Sequence, residues 1–220
     1  MSSRPFILTF HGVGQPSRAL DAGEADVWVD RARFLSILDW AAARKSVEIT
    51  FDDGNASDLE QALPALRERG LRATFFVVAG RLGRPGFVDV DSLRELAAAG
   101  MEIGSHGMWH RPWSGLGEGE LREEIVEAKA LIEQLIHQPI TRAACPFGAY
   151  DRRSLKALRS NYAHVYTSDK GTAHAAGFIQ ARNSVHASDT AGDIDAIATS
   201  RPSVQASVVR YAKQAVKRWR

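Results

Sequence analysis

Apolar positions along this chain recur with two periods that alternate. Short runs rich in β-forming residues stand at positions 5–10, 47–51, 73–78, 101–104, 141–144, 163–167 and 178–182. Between most of them the apolar spacing lengthens to helical steps of three and four. Residues 29–44 carry Phe34, Leu35, Leu38 and Trp40, and residues 57–69 carry Leu59, Ala62, Leu63 and Leu66. Pro64 should kink that second helix or delay its start. Asp91 reads as the N-cap of a helix over 92–99 that Gly100 closes. The clearest stripe is Leu121, Ile125, Ala128, Ile132 and Leu135, predicting a helix over 118–137. Asp151 should cap a basic helix over 152–161. Strands alternating with helices predict an α/β fold with a mainly parallel sheet, open or closed as a barrel. Residues 187–203, small and polar, read as a mobile connection. An amphipathic helix over 203–220 is expected to follow, with Val204, Val208, Tyr211 and Ala215 on one side.

Length and composition narrow the class without naming a chemistry. At 220 residues the chain suits one domain with a sizeable core, and 45% hydrophobic and 25% charged residues fit a soluble globular protein. A net charge of +2 gives no reason to expect nucleic acid. The basic tail with Arg210, Lys213, Lys217, Arg218 and Arg220 reads as a solvated helix face docked on the main domain. Peripheral contact with an anionic membrane surface is its second reading. Cys145 is the only cysteine, so no internal disulfide forms. No window reaches the roughly 18 apolar residues of a membrane span. No signal-peptide pattern opens the chain, so the cytoplasm is the expected compartment.

Chemistry concentrates in three places. The run Val47-Glu48-Ile49-Thr50-Phe51 reads as a strand with one face buried, and it ends in Asp52-Asp53-Gly54. Two carboxylates at a strand's carboxyl end lie where α/β folds place ligands, and adjacent side chains there diverge. One acid can bind a metal while its neighbour handles protons. After the strand at 101–104 comes Ser105-His106-Gly107-Met108-Trp109-His110, whose two histidines are spaced to grip one cation. One carboxylate and two imidazoles would make a three-ligand facial set with open positions. The third place is Ala144-Cys145-Pro146-Phe147-Gly148, a Pro- and Gly-shaped loop after a strand, where the amide of Phe147 can face an oxyanion.

Together these runs resemble the polysaccharide deacetylase family, also called the NodB-homology or carbohydrate esterase 4 group. Its first motif, TFDDG, stands intact at Thr50–Gly54, and its second, a serine-led HxxxH, at Ser105–His110. Its third, ordinarily Arg-Pro-Pro-Tyr-Gly, is altered to Ala144–Gly148. The resemblance spans about residues 5–185. It implies a distorted (β/α)7 barrel over 1–190, with 191–220 as a C-terminal connection and basic helix. It also implies removal of acetyl groups from an N-acetylated sugar in a polysaccharide, oligosaccharide or lipid-linked glycan, with a divalent metal, zinc above cobalt or nickel. Asp53, His106 and His110 would be the metal ligands, Asp52 the general base, and the amide of Phe147 an oxyanion donor.

The departures matter equally. Where the family has the arginine that orients the base, this chain has Ala144. Arg142 lies on the same face further down the strand, and Arg182 is the better-placed replacement, with Asp169 of a reduced fourth motif as its expected partner. The Leu-x-His that would supply the general acid is missing. His11 and His186 are the candidates, although His186, like His174, also reads as an ordinary loop residue. Trp109 and Trp113 suit either a sugar face or core packing, and Cys145 reads as packing. Two rival readings stay open: a catalytically impaired barrel that keeps metal or sugar binding, and hydrolysis of a non-sugar amide. Iron oxygenases share the two-histidine, one-carboxylate set, but the βα alternation argues against them. Oligomeric state is not legible.

Overall fold

The computed structural model describes residues 5–174 and 176–200. Ten strands lie in it: β1 (Phe6–Phe10), β2 (Gly12–Val13), β3 (Trp28–Val29), β4 (Val47–Asp53), β5 (Ala73–Val77), β6 (Glu102–Ser105), β7 (Arg142–Ala144), β8 (His164–Thr167), β9 (Ile179–Ala181) and β10 (Asn183–Ser184). Helices intervene as α1 (Arg31–Ala42), α2 (Leu63–Glu68), α3 (Val90–Ala98), α4 (Glu118–Arg122), α5 (Ala128–Ile136), α6 (Arg152–Asn161) and α7 (Ala191–Thr199). Eight strands form one sheet in the order β10-β1-β4-β5-β6-β7-β8-β9, with every pairing parallel. β9 and β10 are two halves of one strand broken at Arg182. The first half pairs with β8 and the second with β1, which closes the sheet. Counted that way the architecture is a distorted (β/α)7 barrel.

Closure buries both faces of the sheet and corrects the one-sided reading of residues 47–51. From Ile49 to Asp53 every residue of β4 is buried. Phe51 stacks on Phe75 at 4.7 Å and packs with Phe34 of α1, in the larger core between sheet and helices. Alternate positions turn inward, where Ile7, Phe76, Ala144, Tyr166 and Ala173 form a separate small cluster in the lumen.

Several helix boundaries differ from the sequence reading. The cap of α3 is Asp89, whose carboxylate accepts from the Ser92 amide at 2.8 Å, so the helix starts earlier than Asp91 implied. Val29 belongs to β3, and α1 begins after Asp30, which caps it. Pro64 delays α2 as expected, and the chain makes a wide π-type turn over Asp58–Ala62 before it. Asp151 caps α6. Residues 191–199, expected inside a mobile connection, instead form α7, capped by Thr190. That helix docks on α1, where Trp40 donates to Asp195 at 2.8 Å. The predicted helix at 203–220 lies outside the described residues. Among the described residues no helix is long and apolar enough to cross a membrane.

The predicted helix over 118–137 is interrupted by a π-type turn at Glu123–Glu127. Ala128 and Ile132 beyond the turn are buried as predicted, and the stripe ends on Ile136 where Leu135 was expected. Within the turn, Glu124 points into the protein, with no exposed surface. Its carboxylate accepts from the amides of Met108 at 3.0 Å and Trp109 at 2.9 Å, and from Trp113 Nε1 at 3.4 Å. Burial pushes this carboxyl's pKa up, against those donors. Gly107 has φ 87°, and a Cβ there would lie 2.3 Å from Glu124 Oε2, so only glycine lets the acid in. Glu124 therefore holds the segment between His106 and His110. Glu124→Ala would strand three donors and is expected to cost about 2–4 kcal/mol, with Glu124→Gln costing less. Urea denaturation of both variants checks this, and equal stabilities would show that the carboxylate does not hold the loop.

Candidate metal and catalytic centre

Because all barrel strands are parallel, their carboxyl ends meet at one rim. In register Phe10 pairs with Phe51, Asp53 with Val77, and Val77 with Ser105. The residues just past these pairs therefore face one another. They line a cavity of about 570 Å³ that gathers His11, Asp52, Asp53, Arg81, His106, His110, Phe147 and His186. Four non-glycine residues among those described have positive φ: Asp53 (79°), His110 (60°), Phe147 (57°) and His137 (54°). His137 ends a helix, and the other three all line this cavity. Such conformations cost about 1–3 kcal/mol each and persist where the surroundings hold them in place.

Asp53, His106 and His110 present one ligand atom each, all within 4.8 Å of one another. Asp53 Oδ1 lies 3.3 Å from His110 Nε2 and 3.8 Å from His106 Nε2, and it is buried without a hydrogen-bond partner. His106 Nδ1 is 2.8 Å from the Ala144 carbonyl oxygen. That carbonyl can only accept, so Nδ1 carries a proton and Nε2 is the ring atom turned toward Asp53. Burial, reinforced by His106, pushes His110 down to about 4, so its imidazole is neutral near pH 7. A buried carboxylate oxygen without a donor, beside two imidazole nitrogens turned toward it, is the donor set a divalent cation fits.

Asp52 points into the lumen beside this trio. Arg182, only 1% exposed, grips it with two bonds of 2.7 Å, Nη1 to Oδ1 and Nη2 to Oδ2. The guanidinium lies over Phe76 and Tyr166 and also donates to Thr50 Oγ1 at 3.3 Å. Burial alone would raise the Asp52 carboxyl, but Arg182, with help from His106, overrides it and holds the pKa well below the usual carboxylate range. Ala144 lies in the same lumen cluster. Arg182, two strands along the sheet, lies over Phe76 and Tyr166 of that same cluster, so the cation is present at a different position. Arg142 is no alternative: at the other end of β7 it pairs with Glu102 at 2.9 Å and Tyr166 Oη at 2.7 Å.

The remaining sequence candidates divide. His11 lines the cavity, with Nδ1 buried and unpartnered. His186 also lines it, against its reading as an ordinary loop residue, and its amide is tied to Asp189. His174 is exposed. Asp169 is on the loop after β8 and accepts from Thr167 Oγ1 at 3.1 Å, while Arg182 commits both its Nη atoms to Asp52. Phe147 is 68% exposed and sets its ring 4.6 Å from that of His110. Trp113 is fully buried in the core, Trp109 is 41% exposed, and Cys145 is buried.

Sequence reasoning missed the cavity's far wall. Residues 14–27, between β2 and β3, fold over the rim and contribute Asp21, Ala22, Gly23, Glu24 and Val27. Trp28 seals the base of this insert: its ring packs where a Cβ on Gly12 would be, 2.2 Å away, and its Nε1 donates to the Gly14 carbonyl. Arg18 latches it, bonded twice to Glu24 and at 2.7 Å to Asn55, immediately beyond the Asp-Asp-Gly turn. Nothing in the period of the sequence marks this segment, because its contacts are between loops. Asp58 was missed too. It is buried with both carboxylate oxygens unpartnered, and burial, then Asp53 and Asp52, push its pKa well up.

Known proteins match this architecture. The model of the polysaccharide deacetylase family matches residues 41–166. The chitooligosaccharide deacetylase of Sinorhizobium fredii is 31% identical over 165 residues, covering 74% of this chain and 64% of that protein. The peptidoglycan-N-acetylglucosamine deacetylase of Bacillus cereus is 33% identical over 97 residues, 44% of each chain. This chain thus spans about half to two thirds of the length of these curated relatives. In fold it is similar to the Streptococcus pyogenes deacetylase PplD, solved in complex with acetate, with a TM-score of 0.79 at 20% identity, covering 91% of this chain and all of that one. With the family model spanning more than half of its residues, this chain belongs to the polysaccharide deacetylase family.

Proposed function

We propose that this protein hydrolyses the N-acetyl group of an amino sugar within a glycan. The observation that carries the reading is one ionised carboxylate, Asp52, fixed by Arg182 beside the Asp53–His106–His110 trio in a single cavity. The relatives' activities on chitooligosaccharide and on peptidoglycan N-acetylglucosamine support an N-acetylated sugar as substrate.

Each residue then has a task set by its surroundings. Asp52 is the general base. Each carboxylate oxygen has two lone pairs, so the two arginine bonds leave capacity to accept a proton. A carboxylate held that low stays ionised at working pH but takes a proton only from acidified water, the chemistry that a divalent ion, zinc foremost, would supply at Asp53, His106 and His110. As water adds to the acetamide carbon, the Phe147 amide donates to the developing oxyanion. His11 is the better candidate for the acid that protonates the departing nitrogen: it follows β1, whose Phe10 pairs with Phe51, so it flanks Asp52. The C–N bond breaks, leaving acetate and a free amine.

Asp52→Asn should lower kcat for acetate release about 10²–10⁴-fold with bound metal retained, as read by elemental analysis. Equal activity of variant and wild type on N-acetylglucosamine oligomers, with zinc, cobalt or nickel added, would overturn the mechanism. Arg182→Met should lower kcat and also shift the pH profile. Without the guanidinium, burial raises the Asp52 carboxyl, so the acid limb of kcat/KM moves to higher pH. An acid limb that stays in place would show that Arg182 does not set the charge state of Asp52.

A further inference from the structure

Arg81 stands at the cavity edge with most of its hydrogen-bonding capacity unspent. Its closest acceptors are Asp21 Oδ2 at 3.4 Å and Asp53 Oδ1 at 4.0 Å, both too long for a strong charge-assisted bond. By contrast, the other acids of the lining are engaged: Glu24 by Arg18 and Asp52 by Arg182, each through two bonds, while Asp53 faces the two histidines. Asp21 is the weak partner. Its side chain is 73% exposed, and a solvated pair of this kind is worth little.

Arg81 is nevertheless held firmly. It ends the short 3-10 turn Ala79–Arg81 after β5, and that turn is bonded to the histidine loop by Ala79 N to Gly107 O and Gly80 N to Met108 O, both 2.9 Å. Its guanidinium lies over the Phe87 ring at 5.2 Å, a cation–π contact that helps hold it at the cavity edge. A stacked, planar, five-donor cation with long contacts is suited to take a carboxylate through two parallel bonds. Asp21, sitting loosely on it, marks where such a group would lie.

We infer that Arg81 is a carboxylate-binding residue of the substrate cavity, a reading that rests on the proposed glycan deacetylation. With Asp53 Oδ1 only 4.0 Å from Nη1, a carboxylate bonded to Arg81 lies within about 7 Å of that ligand oxygen. That distance fits two sources. One is a carboxylate on the N-acetylated sugar itself or on the next sugar of the chain. The other is the acetate released by the reaction.

The test compares wild type, Arg81→Ala and Arg81→Lys, all metal-loaded. One arm measures kcat/KM on a neutral N-acetylglucosamine tetramer and on a tetramer whose alternate units carry an O3-lactyl carboxylate. A second arm measures acetate binding by calorimetry, without turnover. For a substrate carboxylate, wild type prefers the acidic tetramer, Arg81→Ala lowers the preference about tenfold, and Arg81→Lys, keeping charge without the fork, falls between. For product capture, acetate affinity falls about tenfold in Arg81→Ala with the preference unmoved. If Arg81→Ala alters neither the preference nor acetate binding, the inference is overturned. Should wild type release acetate from neither tetramer, the deacetylase reading fails on its own, and the acetate titration still decides the role of Arg81.

Discussion

The Arg182–Asp52 pair is the interaction around which the centre is built. Two opposite charges almost wholly buried in the lumen of a closed barrel depend on each other, with only an edge of Asp52 left to the cavity. Removing one partner of such a pair typically costs about 3–5 kcal/mol, because the survivor is left charged and buried. The lumen is shaped to hold the guanidinium, with Phe76 and Tyr166 beneath it and Thr50 beside it. The strand break at Arg182 belongs to the same arrangement. It is the point at which the seventh strand leaves β8 and joins β1, so the residue that closes the barrel also fixes the charge of Asp52.

Around that pair, rigidity comes from loops tied to one another. Glu124 gathers the amides that follow His106, and the same loop is stitched to the turn bearing Arg81. Arg18 connects the wall at residues 14–27 to Asn55, just past Asp53. Three strained backbone positions, at Asp53, His110 and Phe147, are held by this lattice rather than by local preference. A site built this way keeps its donors aimed before anything binds, which is where electrostatic catalysis gains most.

Much of this was legible in the sequence, and for identifiable reasons. The alternation of strand and helix periods predicted parallel strands, and parallel strands predicted that Asp52, Asp53, His106, His110 and Phe147 would share a rim. Arg182 could be singled out because it stands near the end of a later strand and the expected arginine was missing at residue 144. Glu124 was not legible, since an acid on a helix reads as solvent-facing unless a π-type turn rotates it inward. Nor were Arg81 and the 14–27 wall, whose placement depends on contacts between loops far apart in sequence. Helix α7 was mistaken for a connection because composition carried no account of the partner surface on α1.

The sequence by itself determined the order of strands and helices, the acids and imidazoles at their ends, and the loss of two customary residues. Those follow from local periodicity and residue chemistry. Only the tertiary structure decided which cation neutralises Asp52, which carboxylate stays unpartnered beside the histidines, and what walls the cavity. Each depends on closing the sheet, because closure brings residues 52 and 182, 130 positions apart, to 2.7 Å with both side chains almost wholly buried.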